Sequence, residues 1–312
     1  MTIPQSQLAS WTRKHDKPGV PFVAQAPVIL FPQSLEDLIQ LCAKRPPGQR
    51  LHAAGSHWAL STAAVSDHAF VETHDVNEVF PAMGRTLFDV VPGCLSDQFL
   101  DALNKQSMAS GAQSYFAHIE SRKRIFQLYA ELDVGDANNP QSLCVLMQNR
   151  FGNNAFAGSW GFETLGGAGG QTVVGALSTG THGGDFDRPP VADAVMALHV
   201  VLDGGRHVWI ERPHREQIPF TDEAKLRALF GQAKFGGPHN FDVLYDEAAW
   251  RGAIMQVGSF GIVYSAVLRV VPQYGLREQL VLSDWESVRG KIAGPNSDLF
   301  QPIGQETPHR FL

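Results

Sequence analysis

Cysteine is scarce in this 312-residue chain, and long apolar runs are absent. The three cysteines, Cys42, Cys94 and Cys144, are odd in number and widely separated. This spacing argues against a disulfide framework or a zinc site, and it favours buried thiols in a reducing compartment. No apolar run approaches the length of a membrane span, and the N-terminus lacks the charged-then-apolar pattern of a signal peptide. We therefore expect a cytoplasmic protein without a membrane span.

Basic residues are outnumbered by acidic ones, 25 to 31, which gives a formal net charge of -6 at pH 7. Because Lys and Arg form no run, the chain lacks the electrostatic footprint of a protein that binds nucleic acid or an anionic membrane surface. The twelve histidines are scattered, and we expect most of them on the surface. We therefore expect neither nucleic acid nor an anionic membrane surface as a partner.

Two common nucleotide-binding motifs are also missing. No predicted strand runs into G-x-G-x-x-G at the start of a helix, and no G-x-x-x-x-G-K-[S/T] loop occurs. The classical Rossmann and P-loop arrangements are therefore excluded.

The segment from Thr164 to Gly184 carries the densest signal. Its sequence, TLGGAGGQTVVGALSTGTHGG, holds eight glycines and four threonines but neither Lys nor Arg. Closely spaced glycines let a backbone approach another group, and N–H groups with hydroxyls can form a nest for an anion. The alternative is a pair of tight turns around a short buried helix over Val173–Leu177. The alternation of Gly, Thr and His favours a cofactor loop.

The flanking patterns predict two α+β lobes. Lobe one, about residues 20–110, has a short strand near residue 28, a helix capped by Ser34, a strand over 50–54 and a helix from Ser96. Lobe two, about residues 155–275, has more strand, including the hairpin around Asp203 and a long strand over 262–271. Residues 111–161 are less regular apart from a helix over 121–132. Residues 276–312 are interpreted as the beginning of a truncated substrate or cap domain.

Four separated elements resemble, in order and rough spacing, the PCMH-type FAD-binding domain of the vanillyl-alcohol oxidase flavoprotein family. The closest likeness is to its sugar-lactone and alditol oxidase branch. The elements are Val28–Leu38, Ala54–Ser61, Thr164–Gly184 and Val257–Val263. The resemblance covers most of residues 20–275 and implies a two-lobed α+β FAD-binding domain, with FAD lying extended between the lobes.

The resemblance also implies a set of cofactor-binding residues. Residues 53–59 would surround the pyrophosphate through backbone N–H groups, the glycine-rich segment would line the other side, and Ile262 would offer backbone contacts. The full set is Ala53, Ala54, Gly55, Ser56, His57, Trp58, Ala59, Gly167, Thr172, Gly175, Thr179, Gly180, Thr181, His182 and Ile262.

One position departs from the family pattern. A Gly-x-x-His-Ser loop often supplies a histidine that bonds covalently to the flavin. Here the loop reads Gly55-Ser56-His57-Trp58-Ala59, so Trp58 takes the place of that histidine. Non-covalent FAD is therefore expected, with His57 as the alternative covalent anchor. Trp58 would either pack near the isoalloxazine ring or fill the interface between the lobes.

His182 is expected to orient the loop near the flavin. Asp185 and Asp187, which follow it closely, belong to a solvated turn on this interpretation. No fourth ligand is spaced to join them, so no metal site is expected.

The implied activity is oxidation of a CH–OH group of a sugar, polyol or aldonolactone by hydride transfer to flavin N5, with oxygen or another acceptor taking the electrons. The catalytic base is not identified, since in this family it usually comes from the cap domain. Two alternatives remain: a flavin reductase of the UDP-sugar type, and an FAD-binding module or split enzyme half without activity of its own.

Overall fold

A computed structural model describes residues 28–56, 58, 69–72, 93–110, 115–134, 143–152, 158–184, 188–213, 218–275 and 282–292. These residues form two sheets with helices packed against them, a mixed α/β architecture that is compatible with the expected α+β class. The predicted cofactor-binding positions His57 and Ala59, and the pair Asp185 and Asp187, lie outside the described residues.

The smaller sheet is parallel and belongs to the N-terminal part of the chain. Its strands are β1 (Val28–Leu30), β2 (Leu51–Ala54) and β3 (Ala69–Glu72), in the order β1-β3-β2. Helix α1 (Leu35–Ala43) connects β1 to β2 and buries one apolar side. The predicted cap is confirmed, because the Ser34 hydroxyl accepts a hydrogen bond from the Asp37 amide at 3.1 Å.

The larger sheet has six strands and is mostly antiparallel. Its main path runs β4-β9-β6-β7-β8, β5 pairs with β9, and β7 and β8 are parallel. The strands are β4 (Tyr115–Glu120), β5 (Trp160–Gly161), β6 (Val195–Val201), β7 (His207–Glu211), β8 (Phe241–Leu244) and β9 (Ile262–Pro272). Strand β6 and most of β9 are buried along nearly continuous apolar runs, which places them at the centre of the sheet.

Seven further helices complete the described structure. They are α2 (Asp97–Ser110), α3 (Ile125–Val134), α4 (Leu143–Phe151), α5 (Val173–Ser178), α6 (Glu223–Phe230), α7 (Glu247–Ile254) and α8 (Trp285–Ile292). Asp222 and Asp246 cap α6 and α7 by accepting backbone amides. Within the described ranges, no helix combines the length and apolar character needed to cross a membrane.

The stretch 111–161, expected to be less regular, contains β4 and α4. All six residues of β4 pair with β9, so this strand forms one edge of the larger sheet although it precedes residue 155. The helix expected from Ser121 begins at Ile125 instead, since the preceding residues form a buried turn. In that turn the Lys123 amide donates to the Glu120 carbonyl at 3.1 Å.

The three cysteines are buried and none of them forms a disulfide, as expected. Burial is the largest cause that raises the pKa of the Cys42 thiol to about 12 and that of Cys94 to about 11. Because the thiolate is the reactive form, both side chains are inert apolar groups at neutral pH.

Helix α1 joins the two sheets by packing against the β6–β7 turn, Asp203–Gly205. Arg45 forms an ion pair with Asp203 at 2.6 Å across this contact. A Cβ atom on Gly205 would lie 2.6 Å from the Ile39 carbonyl oxygen and 2.8 Å from the Ala43 Cβ. The helix can therefore approach the turn this closely only because residue 205 is glycine.

Replacing Gly205 by alanine should destabilise the protein more than replacing its neighbour Gly204. Both have positive φ, +79° and +73°, so both alanines carry the left-handed cost of about 1–2 kcal/mol. Only Gly205→Ala adds a collision with α1, which should cost a further 1–3 kcal/mol or so. Urea unfolding of the two variants measures the difference, and equal midpoints would contradict the α1 contact.

Candidate functional site

Three of the four sequence elements meet at one place in the structure. These are the end of β2 with the loop that follows it, the glycine-rich segment 164–184, and the turn 256–261 before β9. The Ser178 carbonyl accepts a hydrogen bond from the Val257 amide at 3.1 Å, which ties the segment to the turn. The His52 ring lies against Gly258, where a Cβ would be 2.7 Å from Nε2. The sequence elements thus converge on a common site, which we name the glycine site.

Thr172 lies at the centre of the glycine site. It caps α5, since its buried hydroxyl accepts the Gly175 amide at 3.2 Å. A Cβ on Gly55 would lie only 2.4 Å from the same Oγ1 atom. The loop after β2 therefore rests directly on the hydroxyl that begins the helix.

The connection between β4 and α3 is hydrogen-bonded to the backbone of the glycine-rich segment. The Val173 amide donates to the Lys123 carbonyl at 2.8 Å, and the Ile125 amide donates to the Gln171 carbonyl at 3.0 Å. The Lys123 ammonium group is nearly buried and pairs with Glu131 at 2.5 Å. The backbone of the segment is thus held by hydrogen bonds on the side facing the larger sheet.

The C-terminal half of the segment is closed by its own backbone and hydroxyls. Thr179 donates its hydroxyl hydrogen to the Gly175 carbonyl at 3.0 Å, and the Thr181 amide donates to the Ala176 carbonyl at 3.0 Å. Gly180 has a φ of +67°, which favours glycine there. The Thr179 hydroxyl therefore donates its hydrogen to the last turn of α5. Its oxygen can still accept hydrogen bonds from other groups.

His182 is exposed on this segment. Its Nδ1 lies 2.8 Å from the Gly183 carbonyl oxygen. Because a carbonyl can only accept, Nδ1 donates this hydrogen bond. The bond fixes the ring relative to the loop.

The other predicted cofactor-binding positions lie at the ends of strands or in an exposed bend. Ala53 and Ala54 lie in β2, opposite Val71 and Glu72 of β3. Ile262 begins β9 opposite Val201 of β6. Around Gly167, a Cβ would meet open space, so this backbone is accessible.

In the loop after β2, packing within the described residues leaves the Ser56 hydroxyl unbonded and part of the Trp58 side chain exposed. Ser56 is only 9% exposed, and its Oγ has no hydrogen-bond partner within the described residues. Trp58 is 49% exposed and lies against Gly170, so it bridges the loop to the glycine-rich segment without being enclosed. A buried hydroxyl without a partner costs free energy unless another group completes it.

A second cluster, not foreseen from the sequence, lies inside the larger sheet. Glu120, Ser265, His199 and Trp209 are cross-strand neighbours on one face, and we name them with the adjacent His118, His207, Glu211, Thr221 and Tyr264 the polar layer. Its members pair with one another. The contacts include Tyr264 Oη to Glu120 Oε1 at 2.8 Å, His118 Nε2 to Ser265 Oγ at 2.8 Å and His199 Nε2 to His207 Nδ1 at 2.9 Å.

The polar layer contains three histidines that the sequence did not mark as buried. Of the six described histidines, His118, His199 and His207 are fully buried. Burial lowers the pKa of His118 to about 3 and that of His207 to about 4, and it lowers the pKa of His199 further below 6.5. All three rings are therefore neutral in the folded protein near neutral pH.

Glu211 shifts in the opposite direction within the same layer. Burial raises the pKa of this carboxyl to about 7, although hydrogen bonds from the Trp209 indole and from Thr221 lower it in part. Alternating polar residues in β4 and β7 normally indicate a solvated face, so sequence reasoning had no signal for this burial.

No group of three or more His, Cys, Asp or Glu able to hold a metal ion occurs in the described part of the chain. Within the described residues, the groups at the glycine site are backbone amides, hydroxyls and the imidazoles of His52 and His182.

Comparison with known proteins gives a distant relative. No protein-family profile matches the chain. The chain is similar to D-arabinono-1,4-lactone oxidase of Kluyveromyces lactis, with 20% identity over 218 residues, and the match covers 66% of this chain. It covers 32% of that oxidase, so the chain spans about a third of the length of its relative.

Replacing Gly55 by alanine should destabilise the protein by about 1–3 kcal/mol, because the new methyl group would collide with the Thr172 hydroxyl. In a Thr172→Ala background the nearest atom would be Cβ at 3.6 Å, an ordinary contact, so the same change should then cost much less. Urea unfolding of both single variants and the double variant measures this coupling.

Gly93→Ala is the matched control, because a Cβ there would meet open space. Additive effects of the Gly55 and Thr172 substitutions would contradict the contact.

Replacing Glu211 by glutamine should change how stability depends on pH. With a folded pKa near 7 and an unfolded value near 4.5, the native protein holds the proton longer, so Glu211 lowers stability as pH rises between these values. The stability of Glu211→Gln relative to the unaltered protein should therefore increase by about 1 kcal/mol per pH unit from pH 5 to 7. Chemical unfolding at pH 5, 6 and 7 tests it; a constant difference would contradict the buried, protonated carboxyl.

Proposed function

We propose that this chain binds FAD non-covalently at the glycine site and contributes to an oxidoreductase acting on CH–OH groups of a sugar, polyol or aldonolactone. The observation that carries the proposal is the packing of Gly55 on the Thr172 hydroxyl, which brings the loop after β2 against α5. The likeness to D-arabinono-1,4-lactone oxidase supports the class of substrate.

The residues of the glycine site fit a phosphate-bearing cofactor on three grounds. Ser56 has a nearly buried hydroxyl without a partner in the described structure, ready to donate to an oxygen. Gly167 has an accessible backbone. The segment 164–184 contains no Lys or Arg, so an anion there would be held by amides and hydroxyls, whose charge-assisted hydrogen bonds are roughly twice as strong as neutral ones.

When bound, FAD would supply the acceptor for the hydride, and thus for the two electrons, released in a CH–OH oxidation. The chain's own residues hold and orient it: the backbone around Gly55 and Ser56 on one side, and the segment from Thr172 to Thr181 on the other. His182 lies at the exposed end of that segment, where Nδ1 is bonded to the Gly183 carbonyl. Positioning by a fixed backbone is favourable because the donors need no reorganisation when the anion arrives.

The first test is an absorption spectrum of the purified protein after incubation with FAD and removal of free FAD. We expect flavin bands that pass into the supernatant after acid precipitation, since Trp58 stands where a covalent histidine is expected. Colour in the pellet would indicate a covalent bond and would overturn the non-covalent part of the proposal. A protein that stays colourless would overturn FAD binding.

The second test concerns the substrate class. Under anaerobic conditions, D-arabinono-1,4-lactone or a polyol should bleach the bound flavin, whereas NADPH should not. Rapid bleaching by NADPH would favour a reductase instead. Stable flavin with no response to lactones or polyols would favour an FAD-binding module without its own activity.

A further inference from the structure

Two exposed aromatic residues contact consecutive glycines of the segment 164–184. Trp58 contacts Gly170, with indole atoms Cζ2, Cε2 and Nε1 at 2.9, 3.4 and 3.6 Å from the position of a Cβ there. Phe126 contacts Gly169 through its Cβ and backbone, with its Cβ 3.3 Å from the position of a Cβ on the glycine. The two residues are 49% and 48% exposed.

The contact of Trp58 leaves its ring available. The three nearest indole atoms are Cζ2, Cε2 and Nε1, and the side chain remains about half exposed. Gly170 has no side chain to cover this surface, and any larger residue there would collide with the ring. Trp58 thus presents an exposed aromatic surface two residues after Ser56, whose hydroxyl has no hydrogen-bond partner within the described residues.

Phe126 is held by the backbone, because its amide donates to the Gly169 carbonyl at 3.0 Å. The Arg124 guanidinium lies 5.8 Å from the centre of the Phe126 ring. A cation at this border complements an electron-rich ring or a phosphate oxygen. Phe126 thus places an apolar ring and a positive group next to Gly169, which precedes the glycine that Trp58 contacts.

We propose that Trp58, with Phe126 at its border, forms an aromatic platform that stacks a planar heteroaromatic ring of the bound dinucleotide. This inference rests on the proposed function, since FAD supplies two such rings, isoalloxazine and adenine. Stacking would retain the cofactor by the face of Trp58 in place of a covalent bond. A flat ring fits the open indole better than a sugar does, because it can cover the whole exposed face.

The test is titration of the full chain with FAD, FMN and ADP, followed by flavin and tryptophan fluorescence. Trp58→Leu should weaken FAD binding about tenfold, whereas Trp58→Phe should weaken it less, since stacking needs a π surface. Weaker FMN binding with less flavin quenching would identify isoalloxazine as the stacked ring, and weaker ADP binding would identify adenine. Phe126→Leu should give a smaller loss of affinity.

Trp285→Leu is the matched control, because Trp285 is 63% exposed on α8 and its removal changes the intrinsic fluorescence similarly. Unaltered FAD affinity in Trp58→Leu, with FAD bound by the unaltered protein, would overturn the platform alone. Failure of the unaltered protein to bind FAD would overturn both the platform and the proposed function.

Discussion

The loop after β2 can lie on the Thr172 hydroxyl only because residue 55 has no side chain. That hydroxyl also begins α5, so a single atom links the smaller parallel sheet to the helix inside the glycine-rich segment. Similar contacts repeat nearby, with Trp58 on Gly170 and the His52 ring on Gly258. The spacing of the converging elements is therefore set by backbone approach, which one added methyl group would disturb.

This packing bears on both interpretations of the segment 164–184, a short buried helix between tight turns and a cofactor loop. The short buried helix between turns is present as α5, and glycines 166, 169 and 183 are accounted for by close contacts with protein atoms. What packing does not use is the open backbone at Gly167 and the buried hydroxyl of Ser56. Glycine content alone is thus weak support for a cofactor. The unused groups are the ones that the proposed cofactor would contact.

The sequence predicted elements with local signals and missed those defined by long-range pairing. Ser34 caps α1 where expected, and β9 follows its β-branched run to Pro272. Strand β4 was missed because its His118 and Glu120 make a buried strand resemble a half-solvated or irregular one. Their partners, Ser265 and Tyr264, lie more than a hundred residues away and carry no local mark. The same holds at the glycine site, where the motifs were visible but the contact between Gly55 and Thr172 was not.

Two cations beside the glycine site, Lys123 and Arg124, already have partners in the described structure. Lys123, which supports α5 through its carbonyl, turns its ammonium group to Glu131, and Arg124 lies over an aromatic ring. Oriented backbone dipoles would add to the attraction of an anion in the site, and their effect depends on geometry and acts only at short range. Because that geometry is held by the same glycine contacts that join the sheets, the proposed binding of an anion would depend on the integrity of the fold. Substitutions that loosen the packing should therefore weaken anion binding even when they leave every ligand-facing group unchanged.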